Sequence, residues 1–419
     1  MNPAQQPAAG HGGGAGSRIS VVIPTYNRCA ALDATLSSLV RQRLPRSQFD
    51  VVVADDGSAD ATRATVESYR GRLQVRHTYQ EDLGFRAAAA RNAGAWLAQA
   101  PILLFLDTGV LAGPDTLTRH LAAHRGDAAP CAVAGYVYGY RPAGAPSPEF
   151  ANAVARAAPE RVLAEFRDHP EFADFRDDVL TDCDFDLGRF SVPWTLFWSG
   201  NCSVPAREFW AAGGFDEDFR SWGFEDVELG FRLHRRGLPL RLNRDAWVIE
   251  APQERDETAV WEGAQRNIEL FLRKHPEPVV EIGWGLIQRQ FLGAWDSEHR
   301  ELLAYTSQVR GLEVSAELAE WARDAPASGR IVVMGAGAVI PAALPPAVLM
   351  DFDRQALKQP GADGHVRRHS LGLRTPLENQ AVDTVIITSR MAGVQKRWGE
   401  EVLAEARRIG RSVQVVGAG

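Results

Sequence analysis

Three acidic settings in the sequence suit group-transfer chemistry. Asp55-Asp56-Gly57 closes one apolar run, Asp107-Thr108-Gly109 closes another, and Glu225-Asp226 opens an amphipathic stretch with Val227, Leu229, Phe231 and Leu233 on its apolar side. Carboxylates at a helix start are held by free backbone N–H groups and by the helix dipole, which favours the ionised form. Such a carboxylate can take a proton from an attacking nucleophile. Acids at strand ends can accept hydrogen bonds from a ligand or hold a divalent cation through oxygen. A cation site of two acids spaced i, i+2 would carry its second acid at position 109, where the chain has Gly109.

The elements that must position these acids follow a regular alternation. "ISVVIP" reads as a buried strand, Ala30 to Gln42 as a helix, and "FDVVVADDGS" as a strand running into a turn. Asp60 to Tyr69 reads as a helix with Asp60 as N-cap, "LQVRHTYQ" as a strand, Phe85 to Gln99 as an Ala-rich helix, and "ILLFLD" as a fourth strand. Strands alternating with helices predict an α/β fold with a mostly parallel central sheet, whose ligands lie beyond the carboxyl ends of its strands. Pro24-Thr25-Tyr26-Asn27, Asp55-Asp56 and Asp107-Thr108 all fall at such ends.

From about Gly113 to Phe190 the pattern is less regular. A Pro-rich stretch, Pro142 to Pro148, leads into "EFRDHPEFADFRDDVLTDCDFD", which reads equally as a solvated excursion or as a lid or acceptor-binding insertion. Helical segments over 256–326 form an extension, and "DAPASGR" resembles a linker. Five strand-like runs over 327–419 predict a small second α/β unit. The 419 residues are 45% hydrophobic with a net charge of −7, a globular composition without the blocked basic charge of a nucleic-acid binder. The four cysteines form no CxxC pair, as expected of reduced thiols. Residues 1–17, rich in Ala, Gly and Pro, read as a disordered tail and not as a signal peptide, and no apolar run reaches the roughly 20 residues of a membrane span. A cytoplasmic location is expected.

Five segments occur in order over about 220 residues: "ISVVIPTYNR", "VVVADDGSADAT", "GFRAAAARNAGAWLAQAPILLFLDTG", "SGNCSVPAREFWAAGGFDEDF" and "WGFEDVELGFRLHRRG". Together they resemble the catalytic domain of glycosyltransferase family 2, nucleotide-sugar transferases of the GT-A fold, here over 18–255. The resemblance implies a nucleotide site in which Tyr26, beside Pro24, offers a face for base stacking. Asp56 accepts a uracil-type N3–H, Arg86 meets the nucleotide, and Asp107 meets ribose or metal. Asp55, Arg91 and Asn92 brace loops. It implies Asp226 as the base, with Glu225 holding sugar or acceptor hydroxyls, although the two roles could be exchanged. Glu228 is read as a solvated or structural acid. Trp222, Gly223, Trp198 and Asn201 are implied as sugar or acceptor contacts.

The family motif D-x-D binds a divalent metal across the two phosphates, and here it reads Asp107-Thr108-Gly109. Where the family often supplies a late His, the nearest acid is Glu250. Three readings stay open: Mg²⁺ or Mn²⁺ held by Asp107, Glu250 and phosphate oxygens; leaving-group stabilisation by Arg86, Arg255 or Lys274; or lost activity. The Gln-x-x-Arg-Trp element of processive members is absent from "WEGAQRNIELF".

The resemblance therefore implies an inverting, non-processive transfer from a nucleoside-diphosphate sugar, most simply a UDP-sugar, to an unknown glycan, peptide or natural-product acceptor. A catalytically silent sugar-nucleotide or glycan-binding module is the alternative. The segment "VVMGAGAVIP", with Asp351 or Asp353 closing the next strand, weakly resembles a truncated Rossmann-type methyltransferase domain. Packing, homodimer formation, acceptor docking and cofactor binding are all open to it.

Overall fold

The computed structural model describes residues 18–125, 129–141, 147–253, 255–291, 293–325, 329–358 and 364–417. The tail expected over 1–17 and most of the Pro-rich stretch lie outside the described residues. The chain divides into two compact units, Met1–Asn267 and Ile268–Gly419.

The first unit opens with β1 (Ile19–Thr25), α1 (Cys29–Val40), β2 (Phe49–Asp55), α2 (Thr62–Ser68), β3 (Val75–Tyr79), α3 (Ala87–Leu97) and β4 (Ile102–Leu106). β1 and β2 are continuous apolar runs because helices cover both faces of the sheet. Gly94 lets α3 approach the sheet closely, since a Cβ there would lie 2.6 Å from Val22 Cγ1. Asp60 lies one residue ahead of the N-cap Ala61 and still accepts the Thr62 N–H at 3.0 Å, while its other oxygen accepts the Cys29 N–H. One acid thus satisfies the start of two helices.

The unit continues with β5 (Val110–Ala112), α4 (Thr116–Ala123), β6 (Ala132–Tyr138), α5 (Pro148–Arg156), α6 (Pro159–Phe166), α7 (Asp177–Asp182), β7 (Asn201–Pro205), α8 (Ala206–Ala211), α9 (Glu225–Arg235), β8 (Leu240–Glu250) and α10 (Glu257–Lys274), which crosses the division. The sheet order is β3-β2-β1-β4-β7-β6-β8-β5. Its β3-β2-β1-β4 half is parallel, as is the β6–β8 pair; β7 runs antiparallel to β4 and β6, and β5 to β8. Register decides what meets at the carboxyl edge. Thr25 pairs with Asp55, Asp55 with Tyr79, Leu106 with Asn201, and Val110 with Glu250. Tyr26, Asp56, Asp107, the turn before β7 and Glu250 therefore emerge on one side.

The second unit carries α11 (Pro278–Gln288), α12 (Trp295–Gln308), α13 (Ser315–Arg323), β9 (Ile331–Met334), β10 (Ala347–Asp351), β11 (Val366–His369), β12 (Val382–Ile387), α14 (Ala392–Ile409) and β13 (Gly410–Val415). All five sequence-predicted runs are strands of one parallel sheet, ordered β11-β10-β9-β12-β13. Its Gly-x-Gly turn serves packing: a Cβ on Gly335 would lie 2.8 Å from both Met391 Cγ and Thr388 Oγ1. The fully buried Asp351 accepts the Gly337 N–H at 2.8 Å and the Arg390 Nε–H at 2.9 Å. The acid at the end of β10 is therefore occupied from within the chain.

Candidate active site

The β1–α1 and β2–α2 turns are laced together by Asn27. It adopts a left-handed conformation (φ 49°), its N–H bonds Ser58 Oγ at 2.8 Å, and its Oδ1 accepts the Ala59 N–H at 2.7 Å. This leaves Tyr26 on the rim with 45% of its surface exposed and its hydroxyl donating to Asp82. Asp55 is turned inward as a brace, accepting from Ser58 N and facing His77 Nε2 at 3.1 Å. Asp56, 6% exposed, accepts the Arg86 N–H at 2.7 Å and the Gln80 amide. The Arg86 guanidinium stays beside it, Nε lying 3.7 Å from Asp56 Oδ1, and reaches the Glu81 carbonyl. An exposed ring next to a preset carboxylate can stack one face of a base and read its N–H.

Farther along the rim, Thr108 Oγ1 donates to the Pro24 carbonyl at 2.8 Å, fastening the β4 turn to β1. Gly109 sits at φ +96°, where an L side chain is strained. Its N–H bonds Thr35 Oγ1 and its carbonyl accepts the Ala251 N–H, which brings Glu250 alongside. Asp107 is about half exposed, with Oδ1 2.8 Å from Arg91 Nη2. Glu250 is 7% exposed and bonded to Arg255 and Gln253; burial raises its pKa from the ordinary value while Arg255 pulls the other way.

These donors do not fit a resident divalent cation. Among the described residues no three carboxylate, imidazole or thiolate side chains converge, Glu250 Oε1 is held by Arg255, and Asp107 Oδ1 by Arg91. Mg²⁺ and Mn²⁺ require several oxygen ligands with compensating negative charge. The expected ligand pair, Asp107 and Glu250, is brought to one edge but is already neutralised by arginines. Arg86 and Arg255 are likewise engaged by Asp56 and Glu250, and Lys274 belongs to the second unit.

The acid pair enters on a strained reversal. Gly223 (φ +93°) and Phe224 (φ +72°) turn the chain left-handed just before α9. A non-glycine residue there costs on the order of 1 kcal/mol, and here it aims the helix N-terminus at the rim. Glu225, 7% exposed, places Oε1 3.0 Å from Arg91 Nη1. Burial and the neighbouring Asp226 push its pKa up, against the pull of Arg91. Asp226 is less buried. Its Oδ2 accepts the backbone N–H and hydroxyl of Ser199 at 2.8 and 3.1 Å, and its Oδ1 accepts the Val227 N–H at 2.8 Å. Burial raises the pKa of Asp226 while these bonds oppose the rise. Arg91 thus joins Asp107 at the end of β4 to Glu225 at the acid pair. Glu228 is 1% exposed and pairs with Arg232, a structural acid.

Trp198 lies over Arg176, whose Cζ is 4.8 Å from the ring centroid, and stacks with the part-exposed Phe175. Together they form an aromatic wall beside Ser199. Trp222 and Gly223 are half-buried, and Asn267 pins their loop by donating to the carbonyls of Ser221 and Gly223 at 2.8 and 2.6 Å.

Asn201 departs from expectation. It is 1% exposed, its amide donates to the carbonyls of Tyr136 and Ala246, and its Oδ1 faces His120 Nε2 at 2.9 Å. Its hydrogen-bonding capacity is spent in the interior, so it fixes β6, β7 and β8 and does not reach a sugar. Asn92 is similar, bridging Phe215 and Glu217. Sequence reasoning passed over Arg28, Gln80 and Asn267, whose roles depend on which loops meet, and placed Ser199 only in the small-residue turn before Asn201, without its bonds to Asp226. Only Arg28, in the "PTYNR" segment, carried a local signal.

Comparison with known proteins identifies the family. Residues 20–168 match the model of Glycosyl transferase family 2, and residues 181–249 that of the N-terminal domain of galactosyltransferase. The chain is 45% identical over 405 residues to validoxylamine A glucosyltransferase of Streptomyces hygroscopicus subsp. jinggangensis (strain 5008), covering 94% of this chain and 96% of the relative. It is 46% identical to the protein of the same name from Streptomyces hygroscopicus subsp. limoneus, covering 94% and 89%. A solved structure of Staphylococcus aureus TarS 1-349 in complex with UDP-GlcNAc matches at 18% identity with a TM-score of 0.45, over 73% of this chain and 79% of that one. The chain belongs to glycosyltransferase family 2, a family of inverting enzymes, and both matched family models lie within its first unit.

Proposed function

We propose that the protein transfers one hexosyl group from a UDP-sugar, with inversion, to a hydroxyl of a small natural product of the validoxylamine A kind. The observation carrying this reading is the near end-to-end identity with two validoxylamine A glucosyltransferases, in a chain that keeps Asp226 at the open end of α9. The uracil stacks on Tyr26 and gives its N3–H to Asp56. The acceptor hydroxyl attacks C1 of the sugar while Asp226 takes its proton; the new C–O bond forms as the bond to the diphosphate breaks on the opposite side. Glu225, held by Arg91, orients hydroxyls, and Trp198 with Phe175 walls the acceptor. A wall of two aromatic rings suits a compact cyclic acceptor, and transfer stops after one sugar.

The test is to incubate the protein with UDP-glucose and validoxylamine A, following UDP release and the glycosylated product. One UDP per product, with anomeric configuration opposite to the donor's, is expected. Tight UDP binding with no turnover across a panel of donors and cyclitol or sugar acceptors would instead identify a binding module.

A further inference from the structure

Every arginine named so far in the first unit's site is already paired: Arg86 with Asp56, Arg91 with Asp107 and Glu225, Arg255 with Glu250. Arg28 is different. Among the described residues it makes no ion pair, and its hydrogen bond to the Thr108 carbonyl is long, 3.4 Å. The side chain is only partly exposed, so burial lowers its pKa while Glu250 and Asp107 raise it from beyond ion-pair distance. A partly desolvated guanidinium without a counter-ion is costly unless a ligand supplies the charge.

Its position identifies that ligand. Arg28 follows the Pro24–Asn27 turn at the carboxyl end of β1, two residues from the stacking ring of Tyr26. A Cβ on Gly109 would lie 3.3 Å from Arg28 Nη2 and 3.9 Å from its Cζ. The guanidinium therefore stands against the position at which D-x-D would place its second acid. An acid there would need a cation between itself and the phosphates; a guanidinium there can meet the phosphates directly. Its planar fork matches two phosphate oxygens.

Resting on the UDP-sugar reading above, we propose that Arg28 binds the donor's diphosphate and stabilises it as it leaves, taking the place of the cation that Gly109 cannot help to hold. Direct contact makes Arg28 a catalytic residue: the charge on the β-phosphate grows as the C1–O bond breaks, so its attraction to the guanidinium is strongest in the transition state.

The test compares UDP with UMP, which lacks the β-phosphate, by calorimetric titration of the wild type, Arg28→Gln and Arg28→Lys, each with EDTA and with Mn²⁺. In EDTA the wild type should bind UDP at least about tenfold tighter than UMP. Arg28→Gln should bring that ratio close to one with UMP affinity within about twofold, and Arg28→Lys should recover part of it. An unchanged ratio in Arg28→Gln overturns the proposal, as does a wild-type preference for UDP that appears only with Mn²⁺. Loss of UMP binding in folded Arg28→Gln also overturns it, because it places Arg28 on the nucleoside. A wild type that binds neither nucleotide overturns the UDP-sugar reading itself.

Discussion

Ser199 gives both its backbone N–H and its hydroxyl to one carboxylate oxygen of Asp226, at 2.8 and 3.1 Å. The turn that precedes β7 thereby fixes the side chain at the start of α9. Replacing Asp226 by Asn keeps the shape but removes the proton acceptor. Transfer should fall by about 10²–10⁴-fold, with UDP affinity nearly unchanged; a steady-state assay beside a UDP titration checks both, and retained turnover removes Asp226 from the role of base.

Glu225→Gln separates the two acids. Burial and Asp226 hold the Glu225 carboxyl above its ordinary range, and burial does the same for Asp226. The pair gains a proton as pH falls, so kcat/KM should drop on the acid side. Removing the like charge stabilises ionised Asp226, which should move that acid limb to lower pH while activity at neutral pH survives in part. If Glu225→Gln is as inactive as Asp226→Asn at every pH, Glu225 is the base.

Asp56 is nearly buried and already accepts from Arg86 and Gln80. Asp56→Ala should weaken UDP binding by about 1–3 kcal/mol, the loss associated with a buried hydrogen bond. Part of that loss comes through Arg86, whose backbone N–H forfeits its partner. Affinity equal to wild type contradicts the base-reading role.

The parallel half of the first sheet was legible because short apolar runs alternate there with helical segments, two of them, β2 and β4, ending in turn acids, as with "FDVVVADD". The acid pair was equally plain, since Glu225 and Asp226 precede a clean helical period. Asn201 misled because a small-residue turn looks the same whether its amide faces a ligand or the interior. Only the Leu106–Asn201 register and the neighbouring carbonyls of Tyr136 and Ala246 decide it. Arg91 was read as a brace because nothing local connects it to Asp107 or Glu225. Those contacts arise when α3, β4 and α9 meet at one edge.

The Asn201 network also predicts a pH dependence of stability. The Asn201 amide N–H groups face carbonyls, so Oδ1 must accept the proton of His120 Nε2. His120 Nδ1 then accepts from Ser203, and Ser203 accepts from His124 Nε2, with both rings neutral. Burial holds each imidazole at about 4, against 6.5 in an unfolded chain. Between those values the unfolded state binds more protons, so stability is full above pH 6.5 and falls as pH drops toward 4, by on the order of 3 kcal/mol per ring. Urea unfolding at pH 7.5 and 5.0 should show the loss. His120→Asn should be less stable at pH 7.5 yet show a smaller difference between the two conditions.

Gly109→Asp writes the missing acid back into D-x-D, and the structure argues that it does not restore a cation site. At φ +96° any L side chain is strained, which should cost about 1–2 kcal/mol in thermal unfolding. The new Cβ would begin 3.3 Å from Arg28 Nη2, so the carboxylate would pair with that guanidinium before it could meet a metal. UDP binding in EDTA should therefore weaken, and combining Gly109→Asp with Arg28→Gln should cost less than the sum of the two, because both remove the same free cation. A variant that instead binds UDP more tightly than wild type once Mn²⁺ is added would show that position 109 had lacked only a ligand.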